Sequence, residues 1–230
     1  METPAGKERA EAMIGAKKDR IRVIGLTGGI AAGKTTVSQM LREKGAWLID
    51  ADSVGHQVIA PDGEAFAEVV RAFGEGILDE KGAIDRKKLG AVVFADPDNL
   101  KKLNAISHPL MARRMATEIE AVQDRRHEEK TPLILLDAAI LFEARWDILC
   151  DEAWVVVAEP EVTIPRLMER NKFSREEAQA RLNAQIGNQE RILRAKRVIH
   201  NDGNLETLRT RVDEIWREVT ERESADPEKP

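Results

Sequence analysis

Residues 28 to 35 read Gly-Gly-Ile-Ala-Ala-Gly-Lys-Thr, which fits the pattern G-x-x-x-x-G-K-[ST]. A run of this kind works only where a buried strand feeds a tight turn that opens a helix. The glycines let the backbone curl around an anion with its N–H groups turned inward. The helix that follows points its positive end at the same anion. The lysine brings a mobile charge to the outer phosphates, and the hydroxyl offers an oxygen to Mg²⁺. The flanks meet these conditions. Ile21-Arg22-Val23-Ile24-Gly25-Leu26 is a β-branched apolar run that reads as a strand. From Thr35 to Lys44, Val37, Met40 and Leu41 recur at helical spacing, and Gly45 stops the helix. Ala46-Trp47-Leu48-Ile49-Asp50 reads as a second strand, so the unit opens a parallel α/β sheet. Gly28, Gly29, Ile30, Ala31, Ala32, Gly33, Lys34, Thr35 and Thr36 are therefore the expected nucleotide contacts, with Thr35 also a metal ligand.

Beyond the second strand the apolar period changes. Phe66, Val69, Val70 and Phe73, then Leu89, Val92 and Val93, fall at helical spacing. Met111, Met115, Ile119 and Val122 stripe a longer helix that the sequence suggests is entered at Pro109. Residues 61–130 thus read as a helical insertion. Leu133-Ile134-Leu135-Leu136-Asp137 and the run from Ala153 to Ala158 return to strand, and Arg197 to His200 reads as a last short one. Pro165 to Ala195 reads as helical, with Ser174 and Glu177 at capping-box spacing above Ala178, Leu182 and Ile186. Pro165 suggests that this stretch begins near Ile164, because a proline is best tolerated in a first turn. Leu205, Leu208, Val212, Ile215, Trp216 and Val219 stripe a final helix. The expected organisation is a nucleotide-binding core of 21–60, 131–160 and 196–222, a substrate-binding insertion of 61–130 and a lid of 161–195. Residues 1–20 and 223–230 read as flexible tails.

Charge and composition narrow the function. The formal net charge of the 230 residues is −5, which argues against a nucleic-acid binder with a broadly basic surface. No apolar run reaches the ~18 residues of a membrane span. The single cysteine, Cys150, excludes an internal disulfide, reads as a buried structural residue and fits a cytoplasmic setting. His56, His108, His127 and His200 lack metal-ligand spacing, and His127 sits in a charged, exposed-looking run. Asp137 closes an apolar strand, a place from which a carboxylate faces Mg²⁺ or caps a neighbouring loop. Asp50 and Asp52 flank Ala51 at the end of the second strand. On extended chain they would share one side, at the strand ends that line a ligand crevice. One of them is placed to take a proton from an attacking hydroxyl, unless the pair only caps the next helix. Between Arg166 and Arg197 there are nine basic residues against four acidic ones, an excess of +5 in a chain of −5. This segment reads as a lid over a triphosphate, with Arg166 and Arg170, one helical turn apart, as its phosphate contacts.

Taken together, these residues resemble the dephospho-CoA kinase family from about Arg22 to Val219. Gly25-Leu26-Thr27-Gly28-Gly29-Ile30 leading into Gly33-Lys34-Thr35 resembles its opening, and Asp50-Ala51-Asp52 its Asp-Ala-Asp signature. Asp85-Arg86 with Leu89 and Val93-Phe94, then Leu103-Asn104 and His108-Pro109, resemble its helical substrate domain. Leu141-Phe142-Glu143 is similar to its acidic motif. Arg166-Leu167, Arg170, Ser174, Glu177-Ala178, Arg181 and Gln185 are similar to its lid, and Asn201 with Gly203 to its adenine-side turn. The resemblance implies a P-loop kinase fold with a parallel sheet core, a helical insertion and a helical lid. It implies ATP-dependent phosphorylation of the 3′-hydroxyl of dephospho-CoA, with Mg²⁺ at Thr35 and Asp137. Asp52 would be the general base, helped by Lys34 and Arg170, and Asn201 would meet the nucleotide. Asp50, Arg86, His108 and Glu143 would meet the substrate. The chain departs from the family at Ala139, where a proline is usual, which frees a φ angle, and at Lys196, where an aspartate is usual.

Two other readings use the same loop. A P-loop kinase for a nucleoside monophosphate or for shikimate would lack the insertion carrying Asp85-Arg86 and His108-Pro109. A nucleotide-dependent switch or chaperone would need neither Asp52 facing an acceptor nor a basic lid.

Overall fold

The computed structural model describes residues 20–125 and 132–224. Five strands form one parallel sheet: β1 (Arg22–Gly28), β2 (Trp47–Asp50), β3 (Leu133–Asp137), β4 (Glu152–Val157) and β5 (Arg197–His200). Their spatial order is β2-β3-β1-β4-β5, so the glycine-bearing strand lies at the centre. In register, Leu26 lies beside Asp137 and Asp50 beside Asp137 on its other edge, which brings three strand ends to one rim.

Helices cover both faces, and the strands are accordingly apolar in continuous runs. Val23, Ile134 and Leu136 point to one face, where they meet α2 (Ala51–Val58) and α5 (Pro97–Asp124) through Val54, Val58, Met115 and Ile119. Ile24, Leu26, Leu133, Leu135 and Val156 point to the other. There they meet α1 (Lys34–Glu43) through Val37, Met40 and Leu41, and α9 (Leu205–Ser224) through Leu208, Val212 and Val219. Each fully buried branched side chain of this kind contributes about 1.5–3 kcal/mol.

Between β2 and β3 the described chain is helical: α2, α3 (Phe66–Phe73), α4 (Arg86–Ala95) and α5, with only a single bridge pairing Leu78 and Ile84. Asp85 caps α4 by accepting from Lys87 N–H and Lys88 N–H. Asp96 caps α5 by accepting from Asp98 N–H, with Pro97 in the first turn. Three helices separate β4 from β5: α6 (Pro160–Asn171), α7 (Arg175–Asn183) and α8 (Asn188–Arg194). The expected capping box is present, with the Ser174 side chain accepting from Glu177 N–H and Glu177 accepting from Ser174 N–H.

Several boundaries differ from the sequence reading. The strand β1 continues to Gly28, and α1 begins at Lys34 rather than Thr35. Helix α5 begins at Pro97, so Pro109 lies inside it and His108 is not at a helix entrance. Helix α6 begins at Pro160, so Pro165 is likewise interior and the start near Ile164 is wrong. In both cases the residue whose carbonyl loses its partner, Ala105 or Glu161, is exposed, where water can take that partner's place. Val92 and Leu205 belong to the expected apolar stripes, yet both are exposed. Cys150 is half-buried at the foot of β1. Burial, with Asp147 and Asp151 nearby, pushes its thiol up to about 12, as suits a structural residue. His127 and the tails at 1–19 and 225–230 lie outside the described residues. No described helix is long and apolar enough to cross a membrane.

Candidate active site at the phosphate loop

The loop leaves β1 at Gly28, which packs so closely on β4 that an added methyl group would stand 2.6 Å from the Val156 carbonyl oxygen. Two left-handed residues then turn it, Ala31 at φ +58° and Gly33 at φ +96°. Gly33 is the N-cap of α1 and supplies no side chain to cap it. The positive end of the helix is thus left to whatever enters the hollow in front of it. That hollow, about 460 Å³, is lined by Gly28, Gly29, Ile30, Ala31, Gly33, Lys34, Thr35, Thr36, Asp52, Ala139, Arg166, Arg170 and Gln185. Of the expected loop contacts only Ala32 is absent from this lining. It is buried, and its carbonyl accepts from Asn201 Nδ2 at 2.8 Å.

Helix α6 brings Arg166 and Arg170 to the same hollow, as their spacing suggests. Arg166 is held in place: Nη1 donates to Ala31 O at 3.4 Å and Nη2 to Asn201 O at 3.3 Å. Arg170 is exposed and, among the described residues, donates only to Asn171 Oδ1, its neighbour in sequence. A second hollow of about 260 Å³ continues past Ala31, Gly33, Thr36 and Arg166 to Asn201, Gly203, Leu205 and Leu208. Leu205 is 57% exposed because it forms an apolar wall of this hollow instead of core.

On the other flank, Lys34 Nζ pairs with the Asp137 carboxylate. Thr35, Asp50, Asp52 and Asp137 share a cavity of about 200 Å³ with Lys34, Ser38 and Arg42. The two Asp side chains do not share one side of a strand, because the strand ends at Asp50. Asp50 is the N-cap of α2, and its Oδ1 accepts from Asp52 N–H at 3.0 Å. Asp52 lies in the first turn and lines both the phosphate-loop hollow and this smaller cavity.

Three expected substrate contacts are elsewhere in the described structure. Arg86 is exposed in the first turn of α4. His108 packs its ring edge-on against Trp146 at 5.2 Å, and burial lowers its pKa. Glu143 accepts from Arg191 Nη2 at 3.3 Å. None of the three lines the phosphate-loop hollow. The basic segment is also less uniform than its charge suggests. Arg191 is buried, Arg194 lies over the Phe142 ring and pairs with Asp147, and Arg197 pairs with Glu152 and Glu218. Burial lowers the Arg191 pKa and the Glu143 charge opposes that.

At both departures from the family the main chain is hydrogen-bonded. Ala139 O accepts from Thr27 Oγ1 at 3.1 Å, and Lys196 N–H donates to Ala153 O at 2.8 Å while its side chain is exposed. Gln185 was not among the residues expected to bind. A neutral side chain in a helical stretch carries no chemical signal of its own; here Gln185 Oε1 accepts from Ile30 N–H at 2.9 Å.

A family model described as dephospho-CoA kinase matches residues 22–207. A dephospho-CoA kinase of Symbiobacterium thermophilum is 43% identical over 207 residues, spanning 90% of this chain and 85% of the relative. One of Geobacillus kaustophilus is 46% identical over 186 residues, spanning 81% and 90%. A crystal structure from Thermus thermophilus is similar at 33% identity and a TM-score of 0.71, covering 87% of this chain and 99% of that one. A dephospho-CoA kinase structure from Campylobacter jejuni shares the fold at 22% identity, with a TM-score of 0.60 and coverage of 87% and 98%.

Proposed function

This chain belongs to the dephospho-CoA kinase family, and we infer that it uses ATP to phosphorylate the 3′-hydroxyl of dephospho-CoA, giving coenzyme A and ADP. The observation that carries the assignment of roles is the meeting of Asp52, the phosphate loop and Arg170 in one hollow. The triphosphate lies along the loop amides and the positive end of α1, with Lys34 turned from Asp137 to the outer phosphates. The adenine end lies toward Asn201, Gly203 and Leu205, where an apolar side chain adjoins a buried amide.

Asp52 is the general base, because Asp50 is engaged in capping α2. Asp52 takes the proton of the acceptor hydroxyl as that oxygen bonds to the γ-phosphorus. The bond from that phosphorus to the bridging oxygen breaks, and ADP leaves with the electron pair. Arg166, Arg170 and the loop amides stabilise the charge that spreads over the phosphoryl oxygens. Residues 161–195 act as the lid that excludes water during this step.

Mg²⁺ fits the donors present. The Asp137 carboxylate and the Thr35 hydroxyl share one cavity, and hard cations take oxygen ligands. When bound, the ion neutralises charge on the β- and γ-phosphates. The insertion at 61–130, with Arg86 and His108, serves parts of the acceptor remote from the reacting hydroxyl, and Glu143 serves by fixing Arg191. A cytoplasmic setting suits a substrate bearing a free thiol.

The test is an ADP-release assay with and without dephospho-CoA. ADP should form only when the acceptor is present, with coenzyme A appearing in equal amount. ADP formation independent of the acceptor would overturn the assignment.

A further inference from the structure

The connection between α7 and α8, residues 184–187, brings Gln185 onto the phosphate loop. Ile30 N–H donates to Gln185 Oε1 at 2.9 Å. Because the donor is a backbone N–H, the amide orientation is fixed: oxygen faces the loop. The Nε2 group therefore points elsewhere, and it has no hydrogen-bond partner among the described residues. Gln185 lines the 460 Å³ hollow.

The position of that hollow along the nucleotide follows from its neighbour. Ala31, Gly33, Thr36 and Arg166 are common to both hollows, while Asn201, Gly203 and Leu205 belong only to the second. Gly28, Gly29, Ile30, Asp52 and Gln185 belong only to the first. Gln185 thus belongs, like Asp52, to the part of the site away from the nucleoside end.

Its backbone is braced from behind. Arg191, only 2% exposed, donates from Nη1 to Ile186 O at 2.5 Å and from Nη2 to Glu143 Oε1 at 3.3 Å. Asn188 Nδ2 donates to Ala158 O at 3.3 Å. Ile186 and Asn188, which follow Gln185, are thereby tied to α8, to the end of β4 and, through Arg191, to the loop after β3.

We propose that Gln185 contacts the transferred phosphoryl group: Ile30 N–H pins its Oε1, and its Nε2 donates to an oxygen of the γ-phosphate. A side chain fixed at one end and free at the other is pre-organised, so it does not have to be ordered when charge develops on that oxygen. The same contact couples the 161–195 segment to the loop, because both partners of the γ-phosphate move together. The inference rests on the nucleotide orientation proposed above.

The signature is a split between nucleotides. ADP has no γ-phosphate and a non-hydrolysable ATP analogue has one. A hydrogen bond to a charged group is worth a factor of roughly 10 to 150. Gln185→Ala should therefore weaken the analogue by at least about tenfold, leave ADP within about twofold, and lower kcat by about 10–100-fold. Gln185→Glu can still accept from Ile30 N–H, yet it cannot donate and adds a negative charge, so it should bind the analogue more weakly than Gln185→Ala. Calorimetric titration of wild type and both variants with each nucleotide decides the point. Equal weakening of ADP and analogue would make Gln185 a structural brace and overturn the proposal. So would wild-type affinity for the analogue in both variants. If wild type failed to use dephospho-CoA, the acceptor assignment would fall, while the contrast between nucleotides would still decide the role of Gln185.

Discussion

A methyl group on Gly33 would collide with Asn201 Nδ2, and the residue also holds φ +96°, a conformation that costs other residues about 1–2 kcal/mol. Gly33→Ala should therefore act twice, straining the loop and displacing the amide that bonds Ala32 O. Turnover is expected to fall by more than about 10²-fold with ADP affinity falling alongside, since a misplacement of about 1 Å is enough to cost that much. Circular dichroism should stay native, and near-normal turnover would mean the loop tolerates another shape. Asp52 and Asp50 make a second pair of tests. Asp52→Asn should lower turnover by about 10²–10⁴-fold while ATP affinity holds, because only proton removal is lost. Asp50→Asn should stay within about threefold of wild type, because Asn caps a helix as well as Asp. A reversal of these two outcomes, read from steady-state rates, would transfer the role of base to Asp50.

Helix α6 carries two arginines whose surroundings differ, and the difference predicts different consequences. Arg166 is bonded to Ala31 O and Asn201 O, so its loss disturbs the loop itself. Among the described residues Arg170 is hydrogen-bonded only to its neighbour Asn171, so its loss should reach the chemistry alone. Arg170→Ala should lower kcat by at least about tenfold and leave thermal stability nearly unchanged, because exposed charges contribute little. Arg170→Lys should rescue only part, since an ammonium lacks the planar fork. Rates equal to wild type for Arg170→Ala, with ATP and then dephospho-CoA varied, would remove the lid role. Elements of this kind were unevenly legible in the sequence. Strands β1 and β3 were plain because burial on both faces leaves an unbroken apolar run. The Ser174–Glu177 capping box was plain because its signal is local. At the junction of β2 and α2 the sequence leaves two readings open, because Asp serves equally as a strand-end ligand and as an N-cap. The start of α5 was misread because Pro109 is a conspicuous breaker, whereas the true signal is the quieter Asp96-Pro97 pair. Net charge over 166–197 could not separate Arg170, free in the hollow, from Arg191, which is buried, because charge counting ignores which way a helix faces.

At the scale of the molecule, the site belongs to no single element. The loop after β1, the start of α2, the end of β3, helix α6, the α7–α8 connection and the end of β5 each contribute a lining residue. Strand order β2-β3-β1-β4-β5 makes this necessary, since parallel strands all deliver their carboxyl ends to the same rim. A ligand seated there should therefore tie together parts of the chain that otherwise share few bonds. Segment 160–195 meets the loop through side-chain bonds, among them Arg166 to Ala31 and Gln185 to Ile30, and through one small apolar cluster in which Ile30 and Ala31 pack on Ile164, Leu167 and Ala178. Its local opening is thus expected to cost far less than global unfolding. A nucleotide at 100 times its dissociation constant adds about 2.7 kcal/mol by mass action, which for a chain of this size raises Tm by about 5–10 °C. Hydrogen exchange should slow in 28–36 and also across 160–195, with the ATP analogue giving more protection in the second segment than ADP does. Lys34→Ala should abolish the Tm shift, because the outer phosphates lose their mobile charge. Protection confined to 28–36 with either nucleotide would show that segment 160–195 does not close on the ligand, and the phosphoryl contacts assigned to Arg170 and Gln185 would fall with it.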